Sequence, residues 1–375
     1  MNDQEIEADA NVPAETEREN VLDVDPDLEV VSTSYDITSY GADYPVDGLV
    51  RRLGKGDIVI PTFDPNFEGS EDIRGFQRKF VWSRPQMDRF IESLLLGLPV
   101  PGIFLVRDRD NKLLVLDGQQ RLKTLQAYYN LDRLGADYRL RNVQAPFQGM
   151  RYQDLDDEDR RRLDDSIIHA TVLRQEHPAG NQDAVYSIFE RLNTGGSPLQ
   201  PQEIRVALYS GTFLQEIGRA ATDPHWRNLY GDPSPRLKDH ELILRVLALY
   251  ENLAGYERPL KTFLNHYLDT NRNRSNFEAL FHLFRGAAAE MDGALGRTAF
   301  RPVRPLNAAI LDSVFVGVMR RLEVGPIANV DQLKTAYDDL LSDEEYVSAI
   351  DKSTADETSV NRRIELATAA FQNVV

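Results

Sequence analysis

The segment Leu113 to Leu125, reading LLVLDGQQRLKTL, constrains this chain more than any other. Leu113-Leu114-Val115-Leu116 is wholly apolar and short, the pattern of a strand buried on both faces. Asp117-Gly118 is a turn signal. A helix is expected from Gln119 to about Leu134. The free N–H groups of a helix's first turn, with the helix dipole, attract an anion. Acids usually occupy that turn, because cations there are disfavoured by roughly a few tenths of a kcal/mol. Here Arg121 and Lys123 sit near it instead. Either the Asp117 carboxylate or a bound phosphate would offset them. Gln119 and Gln120 add uncharged amide donors and acceptors.

Around this segment the pattern alternates strand and helix. Asp57 to Ile60 reads as a strand ending at Pro61. Ser83 and Gln86 have capping-box spacing. The helix they open should run to about Leu96, bury Phe90, Ile91, Leu94 and Leu95, and stop at Gly97. Strands are expected over 102–106 and 170–174, with a hairpin turn over 107–112 and a solvated helix over 152–166. A helix from about Asp183 ends in Asn193-Thr194-Gly195-Gly196. Beyond Pro201 the signals are nearly all helical: 201–219, 239–253, 260–270, 275–291, 305–321, 330–341 and 360–373. With 375 residues, two or three domains are expected. The reading is an α+β chain: a mixed α/β first half joined near 175–200 to a helical second half.

Charge is unevenly placed. The net charge of −17 argues against a general nucleic-acid binder. Residues 1–30 carry eleven Asp/Glu and one Arg, Arg18, leaving only −7 on the remaining 345. That acidic tail has few large apolar residues and is expected to be disordered. Between Ile73 and Arg89, by contrast, Arg74, Arg78, Lys79, Arg84 and Arg89 face one acid, Asp88, with Phe76, Phe80 and Trp82 interleaved. Cations mixed with aromatics suit a ligand that carries phosphate and also stacks, DNA included. They also suit ordinary surface packing. There is no cysteine, so thiolate chemistry, disulfides and iron–sulfur clusters are excluded. The longest apolar stretch, Leu94 to Val106, is too short and too broken by Gly and Pro to span a bilayer. The N-terminus begins with acids rather than a basic and then apolar segment, so a cytoplasmic protein is expected. The six histidines are scattered, no Walker A sequence is present, and no HNH-type signature is visible.

Four segments occur in a telling order: Phe-Gln-Arg-Lys-Phe-Val-Trp (76–82), Ser-Leu-Leu-Leu-Gly-Leu-Pro-Val-Pro (93–101), Leu-Asp-Gly-Gln-Gln-Arg-Leu-Lys-Thr-Leu (116–125) and Phe-Glu-Arg-Leu-Asn-Thr-Gly-Gly (189–196). That order resembles the GmrSD restriction endonuclease N-terminal domain family, over roughly residues 35–250. The resemblance implies a ParB/sulfiredoxin-like mixed α/β domain over 31–180 and an all-helical domain over 181–375, after the acidic tail 1–30. It implies a nucleotide-handling module of prokaryotic restriction or anti-phage defence, acting on DNA. Asp117, Gly118, Gln119, Gln120 and Arg121 match the family's Asp-Gly-Gln-Gln-Arg element, and Gln77 with Arg78 match its upstream Gln-Arg.

The resemblance assigns roles. Arg121 and Arg78 would neutralise phosphate. Gly118 would let the backbone approach it. Asp117 would orient an arginine, a metal ion or the attacking water, and Gln119 or Gln120 would position water. Lys123 and Thr124, next on the same helix, join the expected nucleotide-binding set. Asn193 either bonds the ligand or caps its helix. Arg74, Lys79 and Arg84 are the expected DNA contacts. The cofactor expected is a nucleoside triphosphate, with Mg²⁺ as its companion. Two rivals stand beside a triphosphatase sensor: a metal-dependent DNA endonuclease, and a non-enzymatic ParB-like adaptor on DNA. A separate nuclease subunit is the expected partner.

Overall fold

The computed structural model describes residues 21–22, 36–60, 82–107, 111–129, 138–177, 183–192, 199–302, 305–351 and 353–375. Gln77, Arg78, Arg74, Lys79 and Asn193 lie outside the described residues, as do 130–137, where the Gln119 helix was expected to continue.

A five-stranded mixed sheet organises the first half. Its strands are β2 (Asp36–Pro45), β3 (Ile58–Val59), β4 (Ile103–Arg107), β5 (Leu113–Asp117) and β6 (Ile167–His177), in the spatial order β2-β6-β4-β5-β3. β2 runs antiparallel to β6, and β4 antiparallel to β5; β4 with β6 and β3 with β5 are parallel. The hairpin expected between 102 and 116 is therefore present. β6 is longer than the 170–174 read from sequence, because ten residues of β2 pair along it. The short β-rich pieces expected early in the chain include this continuous edge strand.

Side chains alternate across the sheet as a period of two requires. Ile103, Leu105, Leu113, Val115, Ala170 and Val172 face one hydrophobic cluster. That cluster is closed by α1 (Val46–Lys55), α2 (Arg84–Leu95), α3 (Gln119–Tyr128) and α4 (Asp157–Asp165), which contribute Leu49, Ile91, Leu122 and Leu163. Val106, Leu116 and Leu173 face the other cluster and meet Val185 and Phe189 of α5 (Asp183–Leu192). Burial on both faces is why Leu113–Leu116 carries no polar residue. α2 opens as its spacing predicted: the Ser83 N–H donates to Gln86 Oε1 at 2.8 Å. Phe90, Ile91, Leu94 and Leu95 are buried, and Gly97 follows with φ +67°.

The second half is helical: α6 (Pro201–Leu208), α7 (Thr212–Ala221), α8 (Pro224–Tyr230), α9 (Lys238–Asn252), α10 (Leu260–Asn271), α11 (Glu278–Leu295), α12 (Ala308–Leu322), α13 (Val330–Ser342), α14 (Glu344–Asp351) and α15 (Glu357–Phe371). The helix expected over 201–219 is two helices. At the break, Arg272 Nε donates to the Ser210 carbonyl at 2.7 Å, and the Phe213 N–H donates to the Arg272 carbonyl. The end of α10 thus satisfies backbone groups that a continuous helix would have paired internally. α1, α8 and α14 are short and were not read from the sequence. α5 is tied to α10 by His266 Nε2, 2.7 Å from Asp183 Oδ2, a hydrogen bond that holds the imidazole above its ordinary 6.5.

Val21–Leu22, inside the expected disordered tail, form a two-residue strand β1 parallel to β7 (Leu306–Asn307). Disorder does not hold at these two residues; the rest of 1–30 lies outside the described residues.

The helical core contains an ionic triad. Asp312 on α12 accepts from Arg245 on α9 at 2.5 Å and from two nitrogens of Arg363 on α15 at 2.9 and 2.8 Å. All three side chains are at most 3 % exposed. Removing one partner of such a group strands the others without compensation and costs about 3–5 kcal/mol. Asp312→Ala should therefore lower the melting temperature by at least about 5 °C in a thermal melt followed by circular dichroism. An unchanged melting temperature would show that the triad does not hold α9, α12 and α15 together.

Candidate functional site

The site is built at the end of β5. The β4–β5 register skips one residue: Phe104 pairs with Asp117 and Leu105 with Val115, so Leu116 has no partner of its own. Such an irregularity bends a strand and re-aims the side chains beside it. Gly118 follows with φ +94°, in the left-handed region, and forms the N-cap of α3. A Cβ at this position would lie 2.4 Å from Ile103 Cγ2 and 3.0 Å from Ile103 Cβ. Conformation and space therefore both demand glycine.

Arg121 fixes the bend. Its Nη2 donates to Asp117 Oδ2 at 2.8 Å and its Nη1 to the Pro101 carbonyl at 3.1 Å. Its Nε is buried and has no hydrogen-bond partner among the described residues. The arginine side chain is 11 % exposed, whereas Asp117 is 48 % exposed. One carboxylate thus answers one guanidinium, the offset that the sequence allowed for. It does not answer Lys123. No acid stands in the first turn of α3. Lys123 is half-buried, and burial holds its ammonium below the usual lysine range. Among the described residues the Lys123 side chain forms no ion pair or hydrogen bond.

The remaining expected residues differ in what they touch. Gln119 is half-buried, and its side chain makes no hydrogen bond among the described residues. Gln120 Oε1 lies 3.5 Å from the Trp82 N–H, and Trp82 packs edge-on to Phe90 at 5.6 Å. Thr124 is fully buried and its Oγ1 donates to the Gln120 carbonyl at 2.7 Å, so its hydroxyl serves the helix backbone. Arg84 lies over the Tyr138 ring at 3.5 Å, donates to the Arg139 carbonyl at 2.8 Å and sits 3.2 Å from Asp88. Asp88 is fully buried and also accepts from the backbone N–H groups of Arg141 and Asn142. Arg84 therefore helps clamp residues 138–142 onto α2. The structure brings Asp117, Gly118, Gln119, Gln120 and Arg121 together at one bend, sets Lys123 two positions beyond Arg121 and about 200° around α3, and gives Arg84 separate partners.

Two features had no sequence signal. The Pro101 carbonyl, an acceptor for Arg121, is invisible as a backbone group. Asp164 accepts from Tyr129 at 2.7 Å and from Tyr152 at 3.0 Å, tying the end of α3 to α4. Burial first, and then Asp164, raises both phenols, Tyr152 to about 12. Among the described residues no group of three or more His, Asp or Glu is arranged to hold a metal ion.

Residues 66–210 match the family model described as GmrSD restriction endonuclease, N-terminal domain. The chain therefore carries a domain of that family, and the bend at 117–121 lies inside it. No curated protein and no solved structure matches the chain. No helix among the described residues is long and apolar enough to cross a membrane.

Gly118→Ala should lower stability by about 1–3 kcal/mol, through the left-handed φ and the Ile103 contact. Chemical denaturation of the variant measures this. A loss below about 0.5 kcal/mol would show that the bend relaxes at little cost.

Proposed function

We propose, taking the GmrSD-type domain as premise, that the Asp117–Lys123 bend binds and hydrolyses a nucleoside triphosphate. Hydrolysis would be the sensing step of a prokaryotic restriction or anti-phage system that acts on DNA. The observation that carries this reading is Lys123: a half-buried cation, early in a helix whose first turn holds no acid, with no carboxylate of its own among the described residues. A polyphosphate supplies the missing negative charge, and the N–H groups of the α3 N-terminus add to the attraction.

The roles follow from the contacts. Arg121, held by Asp117 and Pro101, presents a rigid guanidinium to phosphate oxygens. Lys123 contributes a point charge. Gln119, with its amide uncommitted among the described residues, is placed to orient water, the role glutamine takes in other nucleotide hydrolases. Gln120 supports Trp82. Mg²⁺ would be held mainly by phosphate oxygens and water, with the half-exposed Asp117 as its carboxylate ligand. Gln77, Arg78 and Asn193 complete the nucleotide set in this reading, and Arg74 and Lys79 the DNA contacts. A separate subunit would supply cleavage.

The test is nucleotide hydrolysis with Mg²⁺, with and without modified DNA. Arg121→Ala should reduce turnover by about 10²–10³-fold. Lys123→Met, which keeps the aliphatic stem, should weaken nucleotide binding by at least about tenfold without lowering the melting temperature, since the lysine side chain has no partner to lose among the described residues. Wild-type affinity in Lys123→Met would remove the observation on which the reading stands.

A further inference from the structure

In the helical half, two clusters set one carboxylate against two guanidiniums. In the first, Asp312 with Arg245 and Arg363, every side chain is at most 3 % exposed, so the surplus charge is sealed in the core. The second lies between α7 and α11. Glu216 Oε2 accepts from Arg219 Nη1 at 3.1 Å, and Glu216 Oε1 accepts from Arg285 Nη2. Here the exposures diverge. The Glu216 side chain is 11 % exposed, whereas Arg219 is 58 % and Arg285 38 % exposed. The carboxylate is a buried mount, and the two guanidiniums face solvent.

The neighbouring acids do not offset the surplus. Glu216 is the one acid of α7. Asp223, four residues beyond Arg219, caps α8 by accepting from the His225 and Trp226 N–H groups. On α11 the residues one turn from Arg285 are Phe281, His282, Ala288 and Ala289. Asp292, two turns on, is held by His225 Nδ1 and Asn228 Nδ2. Arg285 Nε and Nη1 make no hydrogen bond among the described residues. The guanidinium lies 5.9 Å from the centre of the Phe281 ring, which is fully buried and gives a base nothing to stack on.

We propose that Arg219 and Arg285, held side by side by Glu216, grip the phosphate backbone of DNA. The inference rests on the reading that the chain acts on DNA, and is independent of the chemistry at the 117–121 bend. A guanidinium fork matches two phosphate oxygens at once. Two forks fixed on one carboxylate lose little freedom when they bind. The contact positions a duplex without reading its sequence. On a chain of net charge −17, a local surplus of cation is what lets a polyanion approach. The pair thus supplies a backbone contact that Arg84, committed to Tyr138 and Asp88, does not.

The experiment follows fluorescence anisotropy of a short labelled DNA duplex on the full chain over a salt series. It compares wild type, Arg219→Gln, Arg285→Gln, Arg285→Lys and, as a control of equal charge change, Arg362→Gln on α15. Each of the first two glutamine variants should weaken binding roughly tenfold near about 50 mM salt and reduce the log–log salt slope by about 0.9. Arg285→Lys should restore the slope, and Arg362→Gln should leave both quantities unchanged. Exposed ion pairs contribute little to stability, so melting temperatures should move by no more than about 4 °C. Wild-type affinity and slope in both Arg219→Gln and Arg285→Gln, with the duplex bound by wild type, overturn the contact and leave action on DNA standing. An equal loss in Arg362→Gln overturns it too, because net charge alone then explains the effect. If the two variants weaken binding of tripolyphosphate but not of the duplex, the pair serves a free polyphosphate and the DNA assignment falls. Absence of duplex binding by wild type overturns both the contact and the action on DNA.

Discussion

The ion pair between Asp117 and Arg121, closed over a glycine with no room for a side chain, is the constraint from which the first half of the chain takes its functional shape. The strand must end where the β4–β5 register slips. The chain must turn through a left-handed φ against Ile103. The helix must begin at once, so that the arginine four residues on reaches back to Asp117 and to Pro101. Each condition makes the next one possible. The outcome is a helix N-terminus fixed against the sheet by its own arginine.

The charge accounting at that bend separates structure from function. Arg121 is matched by Asp117 and would keep its place without a ligand. Lys123 has no such match among the described residues, and desolvation already disfavours its charged form. The helical half treats arginine differently. There Asp312 binds Arg245 and Arg363, and Glu203 binds Arg236 at 2.9 Å, so these guanidiniums hold helices together. Arg84 likewise is engaged with Tyr138 and Asp88. Cations of the same type serve packing or binding according to whether a fixed carboxylate stands beside them.

Much of the fold was legible from sequence. The apolar run Leu113–Leu116, the Asp-Gly turn, the Ser83–Gln86 cap and the helical periodicity after Pro201 are local signals, and each corresponds to an observed element. What escaped was set by tertiary partners. The full length of β6 depends on β2, which is distant in sequence and mixed in composition. The split between α6 and α7 depends on Arg272. In the site, the cluster at 117–123 was visible because strand, turn and helix are contiguous. The Pro101 carbonyl that holds Arg121 was not, because a backbone acceptor leaves no mark in the sequence. The expected contacts at 74–79 and Asn193 lie outside the described residues.

Amide hydrogen–deuterium exchange on the full chain, with and without a nucleoside triphosphate and Mg²⁺, tests the central claim most directly. The account places new protection on the backbone amides of Gly118 to Lys123, where the α3 N-terminus would donate to phosphate, and its loss in Lys123→Met. Protection confined to other segments, or none at saturating nucleotide, would contradict it.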